Sequence, residues 1–96
     1  MAFNQVKMLN DLRKAQKELK REKIVVEAGD GLVEVTINGE LKIENVTIDA
    51  KMVDLDDIEE LETAIQNAVR DGMAKAQEIA AEKMKPLMGG LGNLGL

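Results

Sequence analysis

The sequence predicts an α+β fold in which two long helices flank a three-stranded antiparallel meander, in the order α-β-β-β-α. Three observations carry this reading. Between Gly29 and Asp49, Val33, Val35 and Ile37 alternate with Glu34 and Thr36, the two-residue period of a half-buried strand. Phe3 to Lys23 and the stretch from Leu55 to Met84 instead carry apolar residues at spacings of three and four, the helical period. Finally, Gly29-Asp30-Gly31 and Asn38-Gly39 are turn sequences that separate short β-branched runs.

On the first helix, Met8, Leu9, Leu12, Ala15 and Leu19 share one face at about 100° per residue. Lys7, Arg13, Lys14, Lys17, Lys20 and Arg21 fall on roughly the opposite face. Asp11, Glu18 and Glu22 gather along one edge, displaced from the basic stripe. Asn4 is a candidate cap at the start, and Phe3 and Val6 lie towards the basic side. The helix is expected to stop near Lys23, where Ile24-Val25-Val26 switches to β-branched residues.

The meander is expected over residues 24–49. Val33, Val35 and Ile37 form its apolar face, under the helices, and Leu32, Glu34 and Thr36 the more polar one. Asn and Gly tolerate positive φ, so Asn38-Gly39 favours a two-residue type I′ turn, after which Leu41 and Ile43 resume the alternation. The returning strand then breaks period, because Leu41 and Ile43 are odd whereas Val46 and Ile48 are even. A single inserted residue restores one apolar face, which predicts a β-bulge near Glu44-Asn45.

Residues 50–53 form a connection. Asp54 is the expected N-cap of the second helix, with Asp56 and Asp57 in its first turn, where the helix dipole favours acids. The helix should continue for about eight turns, too long for a three-stranded sheet to cover. Part of its stripe must therefore pack along the first helix as a projecting arm, or against another subunit. Ala68, Gly72 and Ala76 would permit close approach of another helix, while Asp56, Glu60, Asp71, Glu78 and Glu82 make the outward face acidic. Pro86 is expected to end the helix. Residues 1–88 read as one domain, and 89–96 as a flexible Gly/Leu-rich tail.

Composition limits the function. The 96-residue chain has one Phe, no Trp, no Tyr and no Cys, so its core is small and no disulfide reinforces it. Such a chain with long amphipathic faces is expected to find the missing burial in a second copy. The absence of His and Cys removes the commonest general base, the thiol nucleophile and the usual zinc ligand sets. The Gly29-x-Gly31 pair sits in a strand turn and not before a helix, so it reads as a turn and not a phosphate cradle. Asp54, Asp56 and Asp57 lack the spread of oxygen ligands of a calcium loop and read as capping residues. No catalysis, metal or cofactor is expected. No run approaches the roughly 20 apolar residues of a membrane span, and the N-terminus lacks the apolar core of a signal peptide, so a cytoplasmic location without membrane partner is expected.

The formal net charge of −5 is unevenly distributed. Residues 1–23 hold seven basic and three acidic side chains, a net +4, which leaves −9 for the remainder. A basic arm thus stands on an acidic body. Two readings of the stripe stand at this point: a solvated helix face with pairs such as Lys14 and Glu18, or a surface for nucleic-acid phosphates.

Gly31-x-Val33-x-Val35 through Asn38-Gly39, then Ile48-Asp49, between a basic Lys/Gln-rich helix and a long Ala-rich one, resembles the YbaB/EbfC family of bacterial nucleoid-associated proteins. The likeness covers nearly the whole chain in element order. One departure is Ala50, where such proteins often carry Pro after the Ile-Asp pair. The resemblance implies a tweezer-like homodimer with projecting helical arms that binds double-stranded DNA without cofactor, catalysis or small-molecule substrate. It favours Lys7, Arg13, Lys14, Lys17, Lys20 and Arg21 as phosphate contacts. No aromatic platform for single strands and no helix-turn-helix or zinc-finger spacing is present, so backbone contact should dominate. The rival reading is a dimeric protein-binding scaffold, for which Met8, Met73 and Met84 would supply an adaptable apolar surface.

Overall fold

The computed structural model describes residues 2–92, with side chains over 5–87. The elements are α1 (Ala2–Arg21), β1 (Ile24–Ala28), β2 (Val33–Ile37), β3 (Ile43–Ile48), a 3-10 turn (Ala50–Met52) and α2 (Ile58–Gly92). The expected α+β order is therefore present. The strands form one antiparallel sheet in the order β1-β2-β3. α1 begins at Ala2, so Asn4 lies within its first turn and is not its cap; the side chains of Phe3 and Asn4 lie outside the described residues.

The sheet has one apolar face because its register aligns the β-branched residues. Ile24 pairs with Ile37, Val26 with Val35 and Ala28 with Val33. Directly opposite residues point to the same side of a sheet. On β3, Ile48 faces Val33, Val46 faces Val35 and Ile43 faces Ile37. This last pairing needs the predicted bulge: Thr36 pairs with Asn45 and Ile37 with Ile43, so Glu44 is the extra residue. Without it, Ile43 would have turned to the opposite face from Val46 and Ile48.

α2 lies across β1 and β2. Ala64, Ala68, Gly72 and Ala76 recur every four residues, are all buried, and let the helix sit close to the strands. A Cβ added at Gly72 would fall 2.5 Å from Ile37 Cδ1. The small residues therefore seat the helix on the sheet and not on a second helix. Val33, Val35 and Ile37 beneath it are fully buried. β3 receives no such cover, and Ile43, Val46 and Ile48 remain 40–47% exposed.

Four local expectations are corrected. The Asn38-Gly39 turn is not type I′, since neither Asn38 nor Gly39 has positive φ whereas Leu41 has φ +67°. Leu41 N–H donates to Asn38 O and Asn38 N–H to Lys42 O, which defines a three-residue loop with Leu41 at the left-handed position. Leu32 is not on the polar face; it precedes β2 and is buried at 2% exposure. Asp54 does not cap α2. Its Oδ1 accepts from Asp56 N–H in a local turn, and Asp57 caps the helix by accepting from Glu60 N–H. Nor does Pro86 end α2, which continues to Gly92. Proline removes one backbone donor from a helix but can be accommodated within a long one. Residues 93–96 of the Gly/Leu segment lie outside the described residues.

Candidate nucleic-acid interface

α1 is tethered at its C-terminal end. Gly39 N–H donates to Leu19 O at 2.8 Å, and a Cβ on residue 39 would lie 2.6 Å from that oxygen. Glycine is required here for close approach of the hairpin to the helix. The left-handed turn conformation falls two residues later. Ala15 and Leu19 are buried and Leu12 is half-buried, whereas Leu9, Met8 and Val6 are 49%, 43% and 60% exposed. The apolar face predicted for α1 is therefore covered only over its C-terminal half.

The acidic edge of α1 is taken up by α2. Lys83 Nζ lies 3.6 Å from Glu18 Oε2 and 3.4 Å from Glu22 Oε1. This pairing runs between the helices, in place of the Lys14–Glu18 pair of the solvated-face reading. Lys7, Arg13, Lys14, Lys17, Lys20 and Arg21 are all exposed, and among the described residues none of them pairs with a carboxylate. Lys20 and Arg21 also lie in the last helical turn, where the dipole favours cations.

The stripe borders two clefts between α1 and the β2–β3 hairpin. One, of about 570 Å³, is lined by Arg13, Lys14, Lys17 and Lys20 from the helix, with Glu40 and Lys42 from the hairpin. The other, of about 690 Å³, adds Arg21 and Lys23, with Lys42 again opposite and Glu44 at its edge. Lys7 lines neither cleft. Lys23 and Lys42 are additions that helical periodicity missed: Lys23 lies past the end of α1, and Lys42 comes from a hairpin whose fold brings it to the helix. The close contact implied by Gly39 was the available signal, but it is read only when the partner backbone is seen. Lys23 Nζ also pairs with Glu44 Oε1 at 3.1 Å, so the carboxylate projected by the bulge is partly neutralised.

The outward positions on α2, including Asp71, Glu78 and Glu82, are exposed as expected. No helix among the described residues is long and apolar enough to cross a membrane. What results is a small α+β protein with a row of exposed cations along α1, joined by Lys42 from the hairpin, an arrangement suited to contacting a polyanion from one side.

The comparisons give that class a family. The model of the YbaB/EbfC DNA-binding family matches residues 2–91, and the chain belongs to this family. It is 43% identical over 89 residues to a nucleoid-associated protein of Rhodococcus opacus, covering 93% of this chain and 79% of that one. It is 42% identical over 95 residues to a nucleoid-associated protein of Syntrophobacter fumaroxidans, covering 98% and 86%. The crystal structure of the uncharacterized protein HP0035 from Helicobacter pylori shares the fold, with a TM-score of 0.81 at 20% identity over 91% of both chains. The family is one of nucleoid-associated DNA-binding proteins and not of enzymes.

Proposed function

We propose that the protein binds double-stranded DNA as a homodimer, chiefly through backbone phosphates, and contributes to nucleoid organisation or gene regulation in the cytoplasm. The observation that carries this reading is the division of charge on α1. Glu18 and Glu22 are drawn to Lys83, and the cations of the neighbouring stripe pair with no carboxylate among the described residues. Unpaired lysines and arginines displace condensed counterions from a duplex, so affinity should fall steeply with salt. Contacts to phosphates carry no sequence information directly, so sequence preference should be weak or based on DNA shape.

The uncovered apolar row Ile43, Val46 and Ile48 supports the homodimer. It continues the buried face of β1 and β2, and a second copy is the simplest cover for it. Two protomers joined there would project two α1–α2 arms, with the duplex held between them.

The site is tested by gel shift across a salt series, comparing wild type with the triple variant Lys14→Glu, Lys17→Glu, Arg21→Glu. The expected result is strong, salt-sensitive binding by wild type and loss of binding by the variant. Equal binding by both would remove α1 from the interface. The scaffold reading would gain if wild type failed to bind DNA and instead retained a protein partner at high salt.

A further inference from the structure

The β2–β3 hairpin is held against the basic helix in a way that stripe binding alone does not require. Lys42 stands at the junction of both clefts, across from Lys17 and Lys20. Together the helix and hairpin place five cations and one carboxylate around the first cleft, and five cations and one carboxylate around the second. A lysine on a convex helix face is surrounded by water and its field is strongly screened. The same charge lining a concavity acts on a ligand from two sides, with the intervening water reduced.

The hairpin is also preorganised. Among the described residues Asn38 is the one buried polar side chain, 3% exposed, and its Oδ1 accepts from both Glu40 N–H and Lys42 N–H. Gly39 fixes the loop to α1 through the backbone. Leu41 is held at φ +67°, a conformation that L side chains rarely adopt. The side chain of one asparagine, a bond to the helix and a strained residue thus fix the backbone on which Lys42 stands. Fixed placement of a cation lowers the ordering cost of a phosphate contact.

We propose that the hairpin is a second DNA-contacting element, in which Lys42 and the α1 lysines Lys17 and Lys20 hold a backbone phosphate between them. This rests on the DNA-binding reading above and adds a contact to it. The contact surface is then a cleft with two walls. A duplex phosphate enters between helix and hairpin, while Glu44, paired with Lys23, stays at the rim.

The experiment measures fluorescence anisotropy of a labelled mixed-sequence duplex across a salt series, using the full-length protein. Wild type is compared with Lys42→Gln and with Lys51→Gln, which removes the same charge from the 3-10 turn, outside both clefts. Lys42→Gln should weaken binding at low salt and reduce the slope of log affinity against log salt by up to about 0.9, the contribution of one phosphate. Lys51→Gln should retain the wild-type slope. Gly39→Ala is a second probe: it keeps every charge but forces the hairpin away from Leu19, so it should lower affinity in a protein whose circular dichroism is unchanged. If wild type binds and Lys42→Gln behaves as Lys51→Gln does, the hairpin contact is overturned and the α1 contact stands. If wild type shows no salt-dependent binding, the underlying reading falls and takes the hairpin contact with it.

Discussion

β1 and β3 flank the same central strand and both present β-branched residues to the same side of the sheet, yet they have different surroundings. β1 and β2 are roofed by the small-residue seam of α2, and Ile24, Val26, Val35 and Ile37 are buried. On the other side of β2, Ile43, Val46 and Ile48 of β3 remain partly exposed. The helices divide similarly, since α2 is seated by Ala64, Ala68, Gly72 and Ala76 while the N-terminal half of α1 exposes Met8 and Leu9. One part of the molecule is thus covered by its own chain and the other is not. The difference teaches that the fold buries its apolar residues in one region and leaves them exposed in another.

The largest effect should come from charging the uncovered strand. Val46→Glu places a carboxylate in the middle of the bare row. If β3 meets a second copy, a dimer must bury that charge or dissociate, and dissociation is favoured because an unpaired buried carboxylate costs several kcal/mol. Sedimentation should show wild type as a dimer and the variant as a monomer at micromolar concentration. Retention of the wild-type mass would mean that β3 is exposed in the assembled protein too.

A smaller effect tests the satisfied region. Gly72→Ala raises helix propensity by about 1 kcal/mol. It also drives a Cβ to 2.5 Å from the Cδ1 of a fully buried Ile37. Overpacking typically costs about 1–3 kcal/mol, so net destabilisation is expected in urea melts. Adding Ile37→Val removes the clashing methyl, and the pair should be more stable than the sum of the single changes predicts. Additive values would show that the seam yields without strain.

Much of this division can be read from the residues. Alternation places Val33, Val35 and Ile37 inside, and the odd-to-even change between Ile43 and Val46 places a bulge near Glu44-Asn45, where the extra residue is Glu44. These are local rules with fixed periods, which leave few alternatives. The missed features depend on what a residue meets at a distance. Leu32 reads as polar-face by parity but lies in a turn outside the strand period. Gly39 reads as a turn former, yet its hydrogen atom in place of a side chain admits Leu19 O. The alternation through β3 shows an apolar face but not that α2 stops short of it. The cations of α1 were legible from helical period, whereas Lys42 joins them only once the hairpin folds back.

The smallest expected effect lies at the seam between the two regions. Lys83 bridges to Glu18 and Glu22, and its side chain is 30% exposed while theirs are 56% and 35% exposed. Exposed pairs of this kind are typically worth about 0.2–1 kcal/mol and are weakened by salt. Lys83→Met keeps most of the apolar stem but releases both carboxylates. Stability at low salt should drop by no more than about 1 kcal/mol, with the gap closing as salt is added. The effect on DNA should exceed what that small loss suggests. Two freed carboxylates on α1 then add negative potential beside the basic stripe, and Glu18 comes within helical reach of Lys14, four residues away. If Lys83 serves to keep these acids away from the stripe, the variant binds a duplex more weakly than a control such as Lys75→Met, which removes an exposed cation elsewhere on α2. Equal affinity for the two variants would show that the bridge only joins the helices.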